Sequence, residues 1–461
     1  MDKYDFISPI DFRYYGNNSY LFEKLNPFLS ENAFVKYQLR VEEALGVLLA
    51  KKGAAPKEFA KQIKIAVKKV KPSDVYEEEK KTKHYTKALV NSIKKYLRKD
   101  LQRFVHLGAT SFDISDTANA LRFKEVTEKV VLQELKDLEK TLIKISLREK
   151  KTLQIGRTHG QHGVPITFGF ALSSYVARLG SSIKRIERAE NDLRGKLSGA
   201  VGAYNAPSLL SRDAIEFEKE VLKELGLKPG SHSTQIVEPE YLTELIYSIL
   251  SCYGVLANLA DDMRHLQRSE INEVAEEFDS KQVGSSTMPH KRNPWNFENI
   301  KSMWKTFTPR MITVFMDQIS EHQRDLSNSA SQRFLPEIFF AITESTYRMN
   351  GLMKKLIVDK ESMKKNFEMN KEMITAEPLY ILLSLYGHED AHEAVKQLTL
   401  KAQKLGQPLR GLAFKDKELN PYLKKFTKKQ LEIIQNPEKY IGESVKKTEQ
   451  VCRQWKKELK I

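Results

Sequence analysis

The stretch Leu132-Gln-Glu-Leu-Lys-Asp-Leu-Glu-Lys-Thr-Leu-Ile-Lys-Ile145 carries the pattern that decides the fold class. Apolar residues recur in it at steps of three and four, namely at Leu135, Leu138, Leu142 and Ile145. This spacing puts them on one face of a helix. The surrounding segment from Ile114 to Ile155 contains neither glycine nor proline. The pattern therefore predicts a long helix whose apolar seam packs against other helices.

Two further long segments are also nearly free of glycine and proline. Residues 241–283 are interrupted only by Gly254, and residues 295–335 only by Pro309, which should kink or break the helix there. Three long helices predict an elongated bundle, and no alternating strand pattern is visible. We predict an all-α, three-domain subunit with an N-terminal helical domain at 1–110, a central long-helix bundle at 111–355 and a C-terminal helical domain at 356–461.

Composition favours a soluble globular protein of the cytoplasm. The chain has 461 residues, of which 41% are hydrophobic and 30% charged, a balance typical of globular proteins. No apolar run approaches the roughly 20 residues that span a membrane, and we expect no secretory signal. The two cysteines, Cys252 and Cys452, offer neither a disulfide framework nor a metal-ligand spacing, so we expect no metal site.

The formal net charge of +16 raises the question of a polyanionic partner. The basic residues are spread along the chain and alternate with apolar and acidic ones, as on the solvated faces of amphipathic helices. No nucleic-acid module accompanies them, so we expect no nucleic-acid partner. A non-catalytic, basic helical binding protein remains the alternative from another functional class.

The segment Gly284-Ser-Ser-Thr-Met-Pro-His-Lys-Arg-Asn-Pro294 is the richest in chemistry. It begins with small residues that suit a mobile loop, and Asn293 and Pro294 fit the N-cap and first position of a helix. Hydroxyls, cations and helix-end amides within eleven residues suit the binding of a carboxylate. A plain polar loop before a helix is the simpler interpretation of the same pattern.

Two other loops lie at predicted ends of long helices. Gly156-Arg-Thr-His-Gly-Gln-His162 holds two histidines, which titrate near neutral pH, beside an arginine and a glutamine. In His106-Leu-Gly-Ala-Thr-Ser-Phe-Asp113, Thr110 or Ser111 together with Asp113 would cap the helix that follows and leave N–H groups for an anion. Surface hydrogen bonding and simple capping are the structural alternatives.

These loops resemble motifs of the fumarase/aspartase superfamily, and among its members they are most similar to the adenylosuccinate lyase family. The resemblance is strongest for the eleven residues from Gly284 to Pro294. Further similar stretches follow in the expected order, namely Ser8–Tyr14, Thr110–Ala118, Gly156–Gln161, Ser198–Gly202, Ser233–Gln235 and Gln323–Leu326. The resemblance implies a helical homotetramer whose active sites each draw on three chains. It also implies cleavage of fumarate from adenylosuccinate and from succinyl-aminoimidazole-carboxamide ribotide, with no cofactor.

Residue roles follow from this resemblance. Ser285 would be the base that takes a proton next to a carboxylate, although Ser286 remains open, and His159 would be the acid that protonates the departing nitrogen. Lys291 would stabilise the developing negative charge. The remaining residues would bind substrate: Arg13 and Tyr14 at the phosphate, Thr110 and Ser111 at a carboxylate, and His84, Gln235, Asn293, Asn299, Arg324, Ser329 and Arg333 at other positions.

The departures from the family pattern are Phe12, Tyr85 and Glu238-Pro239, which leave the surroundings of His84 and Gln235 open to a different substrate. Argininosuccinate lyase and carboxymuconate cycloisomerase are the nearest alternatives within the superfamily. His159 argues against the cycloisomerase, and the Arg13-Tyr14 phosphate pair argues against argininosuccinate lyase. Retention of Ser285 and His159 argues against a non-catalytic relative.

Overall fold

A computed structural model of the chain describes residues 3–278, 287–288 and 290–461, and these are predominantly helical. The predicted all-α class is confirmed. The α-helices are α1 Ser19–Leu29, α2 Glu31–Lys51, α3 Phe59–Lys69, α4 Pro72–Thr82, α5 Tyr85–Lys94, α6 Ser111–Val126, α7 Leu132–Arg148, α8 Phe168–Asn191, α9 Ala214–Glu224, α10 Glu240–Leu266, α11 Trp295–Phe307, α12 Arg310–Met316, α13 Pro336–Lys354, α14 Lys360–Ile374, α15 Ala376–Leu385, α16 Ala391–Leu405, α17 Leu409–Lys415, α18 Asn420–Leu423, α19 Lys428–Gln435 and α20 Ser444–Glu458.

The apolar seam that predicted the first long helix is buried. Leu135, Leu138 and Leu142 have no exposed surface. The helix is less uniform than predicted, because a π-helical turn at Thr127–Val131 separates α6 from α7. At its start, the Thr127 hydroxyl donates to the Phe123 carbonyl over 2.7 Å, a side-chain bond that competes with regular helical pairing.

The two other long helices end earlier than the sequence pattern suggested. α10 stops at Leu266 instead of continuing to residue 283. The break at Pro309 is confirmed, since α11 ends before it and α12 begins after it. α12 then ends at Met316, so the prediction of helix up to residue 335 is wrong for residues 317–330. Composition without glycine or proline permits a helix but does not enforce one.

The described residues also include six short strands, for which the sequence shows no alternating pattern. Among the described residues, β1 Leu153–Thr158 and β2 Gln161–Thr167 form an antiparallel hairpin. β3 Arg194–Gly195 pairs in parallel with β4 Lys228–Pro229, and β5 Val274–Ala275 pairs antiparallel with β6 Ile357–Val358. Glycines and a proline interrupt the alternation in the hairpin, so period-two patterning does not reveal it.

The residues fall into two compact units. Unit 1 comprises Met1–Leu135, Ser181–Gly254 and Ser302–Tyr347. Its main core joins α2, α3, α5, the start of α6 and α9, with Leu49, Phe59 and Leu89 fully buried. This core fixes the start of α6, on which the site described below is built.

Unit 2 comprises Lys136–Gly180, Val255–Lys301 and Arg348–Ile461. One core joins α15, α16, α17 and α19, and a smaller one places Ile155 of β1 with Phe367 and Ile374 of α14. The second core fixes the base of the β1–β2 hairpin.

Helix α10 is the one described helix that is long and apolar enough to cross a membrane by length and composition. Most of its apolar window, 61%, is buried within the protein. A core helix of a soluble protein has the same composition, and Ile246, Ile249 and Tyr253 have no exposed surface.

Candidate active site

The start of α6, in unit 1, has the capped geometry that the sequence predicted. Thr110 is the N-cap residue, and the Asp113 carboxylate accepts the Thr110 backbone N–H over 2.8 Å. Thr110 and Ser111 are both half-buried. A helix start leaves backbone N–H groups without partners inside the helix, and its partial positive charge favours an anion.

A buried ion pair lies directly behind this helix start. Lys196 Nζ donates to Asp113 Oδ1, and neither side chain has any exposed surface. Lys196 also donates to the Gly199 carbonyl over 3.1 Å, while the Gly199 N–H donates to Asp113 over 3.2 Å. These bonds hold the Ser198–Gly202 segment against α6. Sequence reasoning missed Lys196, because nothing local distinguishes it from the many surface lysines.

The Ser198–Gly202 segment in turn contacts the segment that carries Gln235. Gly202 has a φ of +78°, and a Cβ there would lie 1.9 Å from the Ser233 carbonyl oxygen, so only glycine fits. The Gln235 N–H donates to the Gln323 carbonyl over 3.3 Å, next to Arg324. Four of the motif segments singled out in the sequence therefore meet in unit 1.

Arg324 completes this cluster. Its guanidinium lies 4.1 Å from the centre of the Phe112 ring and donates to Asn328 Oδ1 over 2.6 Å. Its Nη1 is buried and has no hydrogen-bond partner among the described residues, and burial lowers the pKa of Arg324. Burial also raises the pKa of Asp116 to about 6, although Asp116 accepts the Val237 N–H over 3.1 Å. The cluster thus contains an incompletely paired cation, which suits an anionic ligand.

The other predicted residues of unit 1 are more exposed. Arg13 is exposed and Tyr14 half-buried in a π-helical turn at Ile10–Tyr14. Ser329 and Arg333 are exposed as well. The hydrogen bonds described above, which join the four motif segments, do not include Arg13, Ser329 or Arg333.

His84 is exposed and is the N-cap residue of α5. Its Nδ1 accepts the Lys87 N–H over 3.2 Å. An imidazole that accepts at Nδ1 carries its proton on Nε2, so His84 presents an N–H donor on its other side.

Two of the departures from the family pattern have defined contacts. The Tyr85 hydroxyl donates to Gln38 Oε1 over 2.6 Å, and Gln38 donates to Ser115 of α6 over 3.2 Å. Glu238 accepts the Ser231 hydroxyl over 2.7 Å and the His232 N–H over 2.8 Å. Tyr85 is thus linked through Gln38 to a side chain of α6, and Glu238 holds the backbone N–H of His232.

His159 belongs to unit 2 and lies at the tip of the β1–β2 hairpin. Thr158 pairs with Gln161, so His159 and Gly160 form a two-residue connection, with φ values of +56° and +73°. Two positive φ values in succession are the geometry of a type I′ turn, which matches the twist of a hairpin. His159 is exposed at this tip. The segment expected to be a loop is thus the turn of a β-hairpin.

The hairpin is attached to a buried carboxylate that sequence reasoning missed. Glu273 has no exposed surface and accepts Arg157 Nη2 over 2.6 Å, Gln154 Nε2 over 2.8 Å and Asn366 Nδ2 over 2.9 Å. His162 is the cross-strand neighbour of Arg157. Burial, together with the Arg157 charge, lowers the pKa of His162, which favours the neutral imidazole.

The predicted serine loop lies partly outside the described residues, which exclude Gly284, Ser285, Ser286 and Pro289. Lys291 is exposed, and its backbone N–H donates to the Met288 carbonyl over 3.0 Å. Asn293 is half-buried before α11, and Asn299 is half-buried within it.

Asn293 was predicted to be the N-cap of the following helix, and this is wrong by one residue. The first helical bond runs from the Glu298 N–H to the Pro294 carbonyl, so Pro294 holds the cap position. The capping carboxylate comes from Glu276, which accepts the Phe297 N–H over 2.9 Å and Asn296 Nδ2 over 2.8 Å. A cap supplied from outside the helix leaves no local sequence signature.

Comparison with known proteins decides between the members of the superfamily. The sequence matches the Lyase family over residues 13–306 and the adenylosuccinate lyase C-terminal family over residues 320–441. It is 37% identical to the adenylosuccinate lyase of Pyrococcus abyssi over 95% of both chains. It is 35% identical to that of Methanocaldococcus jannaschii, covering 95% of this chain and 93% of the relative. The chain belongs to the adenylosuccinate lyase family.

Membership of the adenylosuccinate lyase family makes the chain a lyase and excludes the non-catalytic binding protein as its class. Among solved structures, the 3-carboxy-cis,cis-muconate lactonizing enzyme of Pseudomonas putida superposes with a TM-score of 0.81 at 22% identity. That match covers 94% of this chain and 97% of the other. At this identity the likeness shows the shared fold, whereas the two relatives reported above, at 37% and 35% identity, are adenylosuccinate lyases.

The described residues of this adenylosuccinate lyase family member contain no group of three histidine, cysteine or acidic side chains able to hold a metal ion. Both cysteines are buried free thiols. Unit 1 offers cations and a capped helix start, and unit 2 offers an exposed histidine. Groups of these types suit acid–base chemistry on an anionic substrate.

Proposed function

We propose that the chain cleaves adenylosuccinate into AMP and fumarate, and that it cleaves succinyl-aminoimidazole-carboxamide ribotide in the same way. The observation that carries the proposal is the 37% identity over 95% of both chains with an adenylosuccinate lyase. The cluster at the start of α6 supports it, because a substrate with carboxylates and a phosphate requires paired cations and N–H donors.

The proposed reaction is a β-elimination. Ser285, as the alkoxide, takes a proton from the carbon next to a carboxylate and becomes a neutral hydroxyl. The C–H electron pair becomes the new C=C bond, and the C–N bond breaks with its electron pair moving to the nitrogen. His159 gives its proton to the departing nitrogen, so fumarate and the amino nucleotide leave with balanced charge. The exposed tip position of His159 supports this role, since a proton donor must reach a ligand.

Carboxylate binding is assigned to four residues. Thr110 and Ser111 hold one carboxylate at the start of α6, where backbone N–H groups and the helix dipole favour an anion. Lys291 stabilises the charge that develops on the carboxylate next to the reacting carbon, and Asn293 hydrogen-bonds to it.

The nucleotide is assigned to the remaining polar residues. Arg13 and Tyr14 bind the phosphate, and the exposure of the Arg13 side chain supports this. His84 orients the substrate through its Nε2–H. Further contacts come from Gln235, Asn299, Arg324, Ser329 and Arg333.

The proposed assembly is a cytoplasmic homotetramer whose active sites each draw on three chains, without cofactor, nucleic acid or membrane. Exposed apolar side chains at and after α12 support association between copies: Ile312, Met316 and Ile319 are 64%, 66% and 79% exposed. Apolar surface of this kind marks contact sites.

Fumarate release by the purified chain, measured with adenylosuccinate and argininosuccinate in parallel, tests the proposal. Release from adenylosuccinate alone is expected, and His159→Ala should reduce kcat by about 10²–10⁴-fold, the usual contribution of general acid catalysis. Ser285→Ala should be inactive and Ser286→Ala active. Release from neither substrate, or from argininosuccinate instead, would refute the proposal, and an inactive Ser286→Ala beside an active Ser285→Ala would exchange the two serines.

A further inference from the structure

Two of the buried carboxylates of unit 2, Glu273 and Glu276, lie on either side of the two-residue strand β5. Glu273 has no exposed surface and Glu276 is 7% exposed. Neither belongs to a motif that the sequence singled out. Glu273 accepts hydrogen bonds from the β1–β2 hairpin, and Glu276 accepts them from the start of α11. The proposed function assigns residues in or next to both segments.

We propose that Glu273 and Glu276 are positioning residues for these segments. Glu273 positions the hairpin that carries His159. Glu276 positions the start of α11, directly after the loop that carries Lys291 and Asn293. The inference rests on the proposed function, because it assigns those segments to catalysis.

Glu273 holds the β1–β2 hairpin at two points. An isolated two-stranded hairpin is marginally stable in water, so its tip needs attachment to the rest of the protein. Arg157 lies two residues before His159, and its side chain is only 16% exposed where it pairs with Glu273. Gln154, on the same strand, donates to the other oxygen of that carboxylate. Two points of attachment on one strand fix both the position and the twist of the hairpin.

Glu276 holds the first turn of α11. Its carboxylate accepts the Phe297 N–H and Asn296 Nδ2. Arg348 donates to Asn296 Oδ1 over 2.9 Å, which orients that amide so that its NH₂ group faces Glu276. The helix start, and with it the end of the serine loop, is therefore held by groups outside α11.

The segment between the two carboxylates is itself fixed. β5 pairs with β6, and the Asp359 N–H donates to the Glu273 carbonyl over 2.9 Å. The Glu276 N–H donates to Gln267 Oε1 over 2.9 Å. Hydrogen bonds to the backbone of Glu273 and Glu276 therefore hold both ends of the segment from which the two carboxylates project.

Glutamine substitutions test the inference with little change in shape. In Glu273→Gln, one carbonyl oxygen replaces a carboxylate that serves three donors, so at least one donor loses its partner. In Glu276→Gln, the new NH₂ group opposes the NH₂ of Asn296. Glu277→Gln is the matched control, because Glu277 adjoins Glu276 but is 52% exposed and pairs at the surface with Lys355 over 2.8 Å.

The assay is fumarate release from adenylosuccinate by the full chain, with folding checked by melting temperature and gel filtration. We expect kcat to fall about 10²-fold in Glu273→Gln and Glu276→Gln, the effect of displacing a reacting group by about 1 Å. KM should stay within about threefold, and Glu277→Gln should match the wild type. Arg157→Lys keeps the cation but loses the planar fork, so it tests the hairpin attachment if Glu273→Gln does not fold.

The inference would be overturned if the folded Glu273→Gln and Glu276→Gln variants kept the wild-type kcat. It would also be overturned if kcat fell as much in Glu277→Gln as in those two variants. A lower melting temperature with unchanged kcat would reduce both carboxylates to a structural role and would also overturn it. A wild-type chain that releases no fumarate would refute the proposed function. In that case amide hydrogen exchange over residues 153–167 still tests the attachment, because unchanged exchange in Glu273→Gln would refute it too.

Discussion

Replacement of Lys196 by methionine tests whether the buried pair with Asp113 stabilises unit 1. Both side chains are fully buried, and methionine preserves most of the apolar stem of lysine. The Asp113 carboxylate keeps the Thr110 and Gly199 N–H donors but loses its counter-charge. Removing one partner of a buried pair costs about 3–5 kcal/mol, so we expect Lys196→Met to lower the free energy of unfolding by about 3 kcal/mol or more.

The double variant Asp113→Asn/Lys196→Met tests whether an unpaired buried charge causes this loss of stability. Each single variant leaves one buried charge without its partner, whereas the double variant leaves none. We therefore expect the fall in the free energy of unfolding to be smaller in the double variant than the sum of the falls in the two single variants, by at least about 2 kcal/mol. Urea denaturation followed by far-UV circular dichroism measures this, at one protein concentration because association also affects stability. A loss below about 1 kcal/mol for Lys196→Met, or additive losses, would refute the reasoning.

Three further predictions concern other parts of the chain. Glu139 is fully buried without a hydrogen-bond partner among the described residues, and burial raises its pKa to about 9. The unfolded chain ionises this group near its ordinary pKa, so stability should fall between about pH 4.5 and 9 by up to about 1.4 kcal/mol per pH unit. Melting temperatures against pH should show this decline reduced in Glu139→Gln, and identical slopes would contradict it. Gly160→Val should reduce kcat more than Gly160→Asn, because a β-branched residue is strained at φ +73°; equal fumarate release by the two would contradict this. His84→Ala should lose about 1 kcal/mol of stability with the cap of α5, whereas His84→Asn should keep the cap, and both should raise KM for adenylosuccinate; equal stability losses would contradict the capping role.

The local features of the fold were predictable from the sequence. The three-to-four spacing from Leu135 to Ile145 predicted a buried helical seam, and the Thr110–Asp113 pair predicted a helix start. Both signals act within one or two helical turns, so neighbouring residues suffice to reveal them. The hairpin tipped by His159 was missed because its turn depends on two positive φ values and not on alternating hydrophobicity.

The identity of the candidate site residues was also within reach of the sequence, through motifs whose residue types suit an elimination. How those residues are held depends on partners far away along the chain. Lys196 lies 83 residues from Asp113, and Glu273 lies 116 residues from Arg157. Glu276 caps α11 by accepting the Phe297 N–H, which is 21 residues further along the chain. Burial turns these distant polar groups into specific pairs, because a charge removed from water must find its partner. The sequence by itself therefore determined the helical class and the chemistry of the motifs, whereas only the tertiary structure decided which buried charges hold the motifs in place.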